Sequence, residues 1–399
     1  MPKIFNLDKT YQLLLILLAF FLPLTVFGAN TIIVVIVILW LLSGDYKSKF
    51  YKTINNKLLM ASIIFFALHL FGLVWTEDFL WGVHILHKMW YFLLFFPVLF
   101  NIVKKDYVKY YITSFLVAIS VTEVFSYLIW FQIISPFGSA EIFNPTPFMS
   151  HISYNPILAF AIYIVYHEVL FNQNLSKLKF LIYSFFAVTM TFNMFITGGR
   201  AGQVVYFVIL AMMIFQFFNK NRIKALFAIS VLIPGIFFTA YQTSPLFQER
   251  IDLAVFNSIN YSENMKSSVG MRLAFAINSW EIIEKHPIIG VGTGDFPLEY
   301  NKVNNKNTPQ IPYSTNPHNM YALILVQLGL VGLISMLSIF YYQIKIAIHK
   351  ENKFFRDIGL SLPLIFLVVM LSDSYLLGHY TSLLFVFFSS FLYKDFAKN

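Results

Sequence analysis

Cysteine is absent from the 399 residues, which removes disulfides, thiolate nucleophiles and cysteine-based metal sites from consideration. Charge is scarce: Asp, Glu, Lys and Arg supply 12% of the chain, about half the roughly 25% typical of a soluble domain. An ordinary water-facing globular surface is therefore excluded. No group of His, Asp and Glu has metal-ligand spacing, so neither a metal nor a cofactor is expected, and no two carboxylates are placed as in a glycosidase. GVGTGDF at 290–296 lacks the parallel-strand context of a nucleotide-binding loop and reads as a turn. Internal repeats and low-complexity tracts are missing too.

Apolar residues take the place of charge. They make up 58% of the chain, with 46 phenylalanines, and runs long enough to cross a bilayer recur throughout. The pattern is that of an all-α polytopic membrane protein with about 12 transmembrane helices. These fall at 11–27, 30–44, 57–75, 81–103, 108–134, 154–171, 178–197, 201–218, 222–241, 317–344, 356–373 and 378–394. The first run, YQLLLILLAFFLPLTVFGA, lacks a small-residue cleavage site and reads as a retained helix that forms a hairpin with the short second one.

The loops orient the chain. DYKSKFYKTINNK at 45–57, KKDYVK at 104–109, SKLK at 176–179, NKNRIK at 219–224, the stretch 345–356 and the tail KDFAKN are basic. The alternate loops, at 76–78, 135–156, 197–200, 242–316 and 372–380, are poor in Lys and Arg apart from the long one. The positive-inside rule then puts the basic set and both termini in the cytoplasm. The formal net charge of +9 is thus a topological signal, and no nucleic-acid partner is expected. Residues 1–241 hold nine helices, 242–316 form an outside loop with a helix of its own, and 317–399 hold three more, in one membrane domain. In the loop, SSVGMRLAFAINSWEIIEKHP reads as that helix, capped by Ser267 or Ser268 and closed before Pro287.

Candidate chemistry gathers on the outside. Arg200 in TGGRAGQ stands where a helix starts, a position that favours an anion over a cation. Gly198 and Gly199 would let a ligand approach the backbone, and a guanidinium matches phosphate oxygens. Taken alone, Arg200 could equally be an interfacial arginine snorkelling to headgroups. Arg272, on the loop helix, and Arg250, in LFQERID, extend the same idea. His318, in PHNMYALILVQLGLVGLI, sits where the chain re-enters the membrane. Gly329 would fall about 20° from it around an ideal helix, giving a small face for tight packing that also includes Ala322, Leu325 and Gly332. Among arginines, a histidine becomes a general-base candidate. Trp81, His84, His87 and Lys88 could wall an outer cavity, and Glu123 is an intramembrane carboxylate.

TGGRAGQ, then RLAFAINSWEIIEKHPIIGVGTGDF, then HNMYALILVQLGLVG together resemble the O-antigen ligase and polymerase superfamily over residues 190–345. The last segment fits the ligase pattern: His318, Asn319, nine residues, Gly329, two residues, Gly332. The resemblance implies a metal-independent, inverting glycosyltransferase at the periplasmic face of the bacterial inner membrane. Its donor would be a glycan on undecaprenyl diphosphate. Its acceptor would be a lipid A core sugar or, in a polymerase, a growing glycan. Arg200 and Arg272 would bind the diphosphate and His318 would activate the acceptor hydroxyl, with Asn319 beside it in the motif. Protein O-oligosaccharyltransferases share the layout. A lipid-linked sugar flippase or other transporter would also have about twelve spans, but would need repeat symmetry and charges along an internal path.

Overall fold

The computed structural model describes residues 6–260 and 264–396. The first five residues, three residues of the long loop and the last three of the tail KDFAKN lie outside them. Among the described residues the chain is all-α, with a lone β-bridge between Glu141 and Asn144.

The N-terminal helices are α1 (Leu7–Phe21), α2 (Val26–Leu42), α3 (Tyr46–Ile54), α4 (Lys57–Phe71), α5 (Phe79–Trp90), α6 (Phe96–Ile102) and α7 (Val108–Trp130). The central ones are α8 (His151–Phe171), α9 (Lys177–Ile196), α10 (Arg200–Phe217) and α11 (Arg222–Thr243). Next come α12 (Pro245–Ile259), α13 (Ser268–Lys285) and α14 (Phe296–Asn307), and last α15 (Met320–Ile348), α16 (Lys353–Val369) and α17 (His379–Leu392). Polar residues mark where helices start: Asn56, Ser176, Asn221, Ser244, Ser267 and Asn352 each accept a first-turn backbone N–H, a cap worth about 1 kcal/mol.

Apolar helices stand at all the positions expected from the sequence. Among the described residues eight spans are at least 18 residues long and apolar enough to cross a membrane, and the pair α2–α3, bent by 115°, would make nine. The other expected spans, α1, α16 and α17, have 15, 17 and 14 residues. The expected span 11–27 is cut at Phe21, where Pro23 cannot continue the ladder. α5 and α6 form one span through a π-helical turn, Tyr91–Phe95, just before Pro97.

The bundle has two chemically distinct ends. At one, Lys394 Nζ donates to the Phe100 and Val103 carbonyls, Lys104 pairs with Asp8 at 2.7 Å, and Lys350 pairs with Asp395 at 2.6 Å. The basic loops meet here. The other end carries TGGR and helices α12 to α14.

Those loop-end helices are stitched into the bundle. α15 breaks at Gly329, whose φ of 58° and ψ of −156° lie outside the helical region. The segment 287–292 fits the break: Leu330 and Val331 N–H donate to the Pro287 and Ile288 carbonyls, and Val291 and Gly292 N–H donate to those of Val326 and Gln327. A Cβ on Gly329 would stand 2.3 Å from the Ile288 carbonyl carbon. The small continuous helix face expected around Gly329 is therefore not formed. The glycine instead admits another backbone. GVGTGDF is a turn, as expected, and Asp295 at its end accepts the Glu77 and Asp78 N–H groups at 2.8–3.0 Å. The stripe Leu273, Ile277 and Trp280 is exposed on α13, while Ala274, Phe275, Asn278 and Ile282 face inward.

Candidate active site

The turn between α9 and α10 is held from below. Asn155 Nδ2 donates to the Gly199 carbonyl at 3.2 Å, Thr197 Oγ1 donates to Asn155 Oδ1 at 2.8 Å, and Gln203 Nε2 donates to the Thr197 carbonyl at 2.9 Å. All three side chains are buried. Gly199 also serves packing: a Cβ there would stand 2.6 Å from Asn155 Cγ and from the His151 carbonyl. Gly198 N–H is already bonded to Asn144 Oδ1 at 3.0 Å. No side chain caps α10, so its first turn stays open toward the space where Arg200 lies.

That space is a cavity of about 410 Å³ lined by Arg200, Arg250, Arg272, His151, Gly198, Gly199 and Tyr375, among others. Three guanidiniums on α10, α12 and α13 thus converge, and among the described residues no carboxylate lines the wall. Among the described residues none of the three makes an ion pair, and the one side-chain hydrogen bond is Arg200 Nη2 to Ser268 Oγ at 2.6 Å. His151, absent from the sequence reading, is fixed by its neighbour. Asn144 Oδ1 is taken by Gly198, so Asn144 Nδ2 donates to His151 Nδ1 and leaves Nε2 as the ring's own donor.

His318 stands beside this cavity, not in its wall. It is not on α15 as expected: Asn319 caps that helix, accepting Ala322 N–H at 3.0 Å and donating to the Leu371 carbonyl at 3.3 Å. Asn319 thus serves as the cap of α15. His318 has a φ of 51°, a left-handed backbone that costs a non-glycine residue about 1–3 kcal/mol. Phe275 of α13 stacks on its ring at 5.7 Å. Its Nδ1 lies 3.4 Å from Asp373 Oδ1, a separation suited to an ion pair rather than a formed hydrogen bond.

Asp373, also missed in the sequence, is held by Asn316 Nδ2 at 2.9 Å and by Ser374 N–H at 2.7 Å. Burial opposes its ionisation, but the His318 imidazole, the Ser374 N–H and the Asn316 amide together keep its pKa below the ordinary value of 3.8. With Nδ1 covered and the ring about 37% exposed, the open edge of the imidazole is the Nε2 side.

The α5 residues divide. Lys88 and Trp81 line a second cavity together with Asp373 and Tyr375. His84 and His87 are exposed and border neither cavity, so the expected wall is Trp81, Ile85 and Lys88 instead. Glu123 is buried in α7 with both carboxylate oxygens lacking a hydrogen-bond partner. No group of three His, Cys, Asp or Glu able to hold a metal occurs among the described residues.

Fold and site together define a polytopic all-α membrane protein with a cationic cavity at one end. Residues 185–337, from the last turns of α9 to the middle of α15, match the family model described as O-antigen ligase. That segment, 153 of the 399 residues, is similar to the O-antigen ligase superfamily. The match supports a function of the O-antigen ligase or polymerase type in general, a glycosyltransferase-like activity. Comparison with the curated proteins finds no match.

Proposed function

We propose that the protein is an O-antigen ligase-like transferase, moving a polysaccharide from undecaprenyl diphosphate to a sugar hydroxyl of the lipid A core at the periplasmic face of the inner membrane. The observation that carries this reading is the convergence of Arg200, Arg250 and Arg272, without an ion-pair partner among the described residues, on one cavity. Three like charges side by side repel, so the arrangement suits a ligand of more than one negative charge. A diphosphate fits, since guanidiniums bind phosphate oxygens in a planar fork.

In the reaction the acceptor oxygen bonds to the anomeric carbon as the bond from that carbon to the diphosphate oxygen breaks. The sugar inverts. The acceptor proton passes to His318 Nε2, and Asp373 holds the imidazole in place. The leaving diphosphate keeps the bonding electrons, and the arginines stabilise its growing charge without a metal. The apolar helices hold the polyprenyl tail. Both termini are cytoplasmic in this reading, and the basic end of the bundle is the inner one.

A deletion strain tests the assignment. Loss of capped lipopolysaccharide with accumulated long lipid-linked polymer is expected. Caps of one repeat unit would make the protein a polymerase instead. In reconstituted vesicles His318→Ala should slow transfer by about 10²–10⁴-fold while the protein stays folded, and normal transfer by that variant would remove the base.

A further inference from the structure

A second cavity, of about 280 Å³, adjoins the arginine cavity, and Ile152 and Tyr375 line both. Lys88 lines it from α5. This lysine lies nine residues past Phe79, where α5 starts, roughly 13–14 Å along the helix axis. It is also inside a span apolar enough to cross a membrane. A cation at such depth is expensive unless something answers it. Among the described residues Lys88 has neither a hydrogen bond nor an ion pair. The carboxylate in the same wall, Asp373, is already engaged by Asn316, Ser374 and His318. Two turns earlier on the same face, Trp81 lines the cavity with an indole N–H that also lacks an acceptor. An unanswered cation thus faces this space, next to the histidine and beyond the arginines.

We propose that this second cavity holds the acceptor headgroup, and that Lys88 is the counter-ion for an anionic substituent on that sugar, a phosphate monoester or a carboxylate. The proposal rests on the transferase reading for the word acceptor, though the anion site itself does not. The arginine cavity then takes the donor diphosphate, and His318 with Asp373 stands where the two ligands meet. A lysine suits this task, because a single substituent needs a point charge, whereas the diphosphate needs the fork of arginine.

Titration calorimetry on the full chain in nanodiscs tests this with three probes: glucose, glucose 6-phosphate and geranylgeranyl diphosphate. Glucose 6-phosphate should bind the wild type more tightly than glucose by roughly tenfold or more, the scale of one charge-assisted hydrogen bond. Lys88→Met should reduce it to the level of glucose, and Lys88→Arg should restore much of the difference. Diphosphate binding should be unchanged in Lys88→Met and weakened in Arg200→Met. Three results would overturn the proposal: no preference for the phosphate in the wild type, a preference that survives in Lys88→Met, or diphosphate binding that needs Lys88, which would assign the lysine to the donor. If Lys88 governs glucose 6-phosphate while Arg200→Met leaves diphosphate binding intact, the subsite stands and the arginine assignment falls.

Discussion

Helix α8 carries a histidine at each end, and each sits among basic side chains. At the basic end His167 lies 3.1 Å from Asp357, which also takes Lys353 Nζ at 2.5 Å and Arg356 Nε at 3.3 Å. Asp357 and His167 are both buried, and Tyr163 donates to the Asp357 carbonyl at 3.1 Å. At the loop end His151 faces Arg200, Arg250 and Arg272 around a cavity with no carboxylate in its wall. The ingredients are alike and the bookkeeping is opposite. One cluster contains its own counter-ion and ties α16 to α8. Among the described residues the other has none in its wall, and in the proposed function its charges serve the ligand.

The sharpest way to break that contrast is to remove one charge from each end. Arg272→Met should lower transfer by about 10²–10³-fold, the loss expected for one donor to a developing oxyanion, while thermal unfolding stays put or shifts up as like-charge repulsion is relieved. A melting point that drops with activity retained would mean the arginine cluster is structural after all. Asp357→Ala should do the reverse. It leaves a buried histidine and two cations without their carboxylate, a loss of about 2–3 kcal/mol, below the usual 3–5 for a buried pair. The discount applies because Lys353 and Arg356 are more than a third exposed. Transfer per folded molecule should not change. Gly329→Ala comes next, at about 1–3 kcal/mol, since alanine cannot take that backbone without strain and its Cβ would meet Ile288. Unchanged unfolding in that variant would show that the α13–α15 lock is dispensable.

How far the sequence could be read follows the same division. Long apolar runs and alternating basic loops made the helices and the two ends legible, because burial in lipid and charge asymmetry act over many residues at once. Arg200, Arg250 and Arg272 were legible for the opposite reason: in a chain so poor in charge, an arginine beside an apolar span stands out. Their convergence was not, since it depends on how α10, α12 and α13 pack. Asp373 sits in the turn SDSY, 55 positions from His318 in sequence, and no local spacing links them. An inspection of every carboxylate in the lysine-poor loops would have raised it. Gly329 departs from its ideal-helix position because the docked segment 287–292 supplies hydrogen bonds that replace the helical ones. His84 and His87 were one helical step from the right face, which Lys88 occupies.

Asp373 is the mixed case that tests where the boundary lies. It is a carboxylate at the loop end that does have a histidine beside it, so it resembles Asp357 in chemistry and the arginine cavity in location. Its pKa is held below 3.8 in the folded chain, so folding favours the ionised form. The stability this contributes is present above the unfolded value and is lost as pH falls through the folded one. Melting temperature in detergent should therefore fall on acidification below about pH 4, and Asp373→Asn should flatten that slope. At neutral pH the same variant should cost transfer roughly tenfold through a misplaced imidazole, with a smaller loss of stability than Asp357→Ala. A stability loss as large as that of Asp357→Ala, with transfer per folded molecule intact, would move the His318–Asp373 pair to the structural side. A loss confined to transfer would make Asp373 a positioning residue, set where the counter-ion serves the imidazole and leaves the arginines free for the substrate.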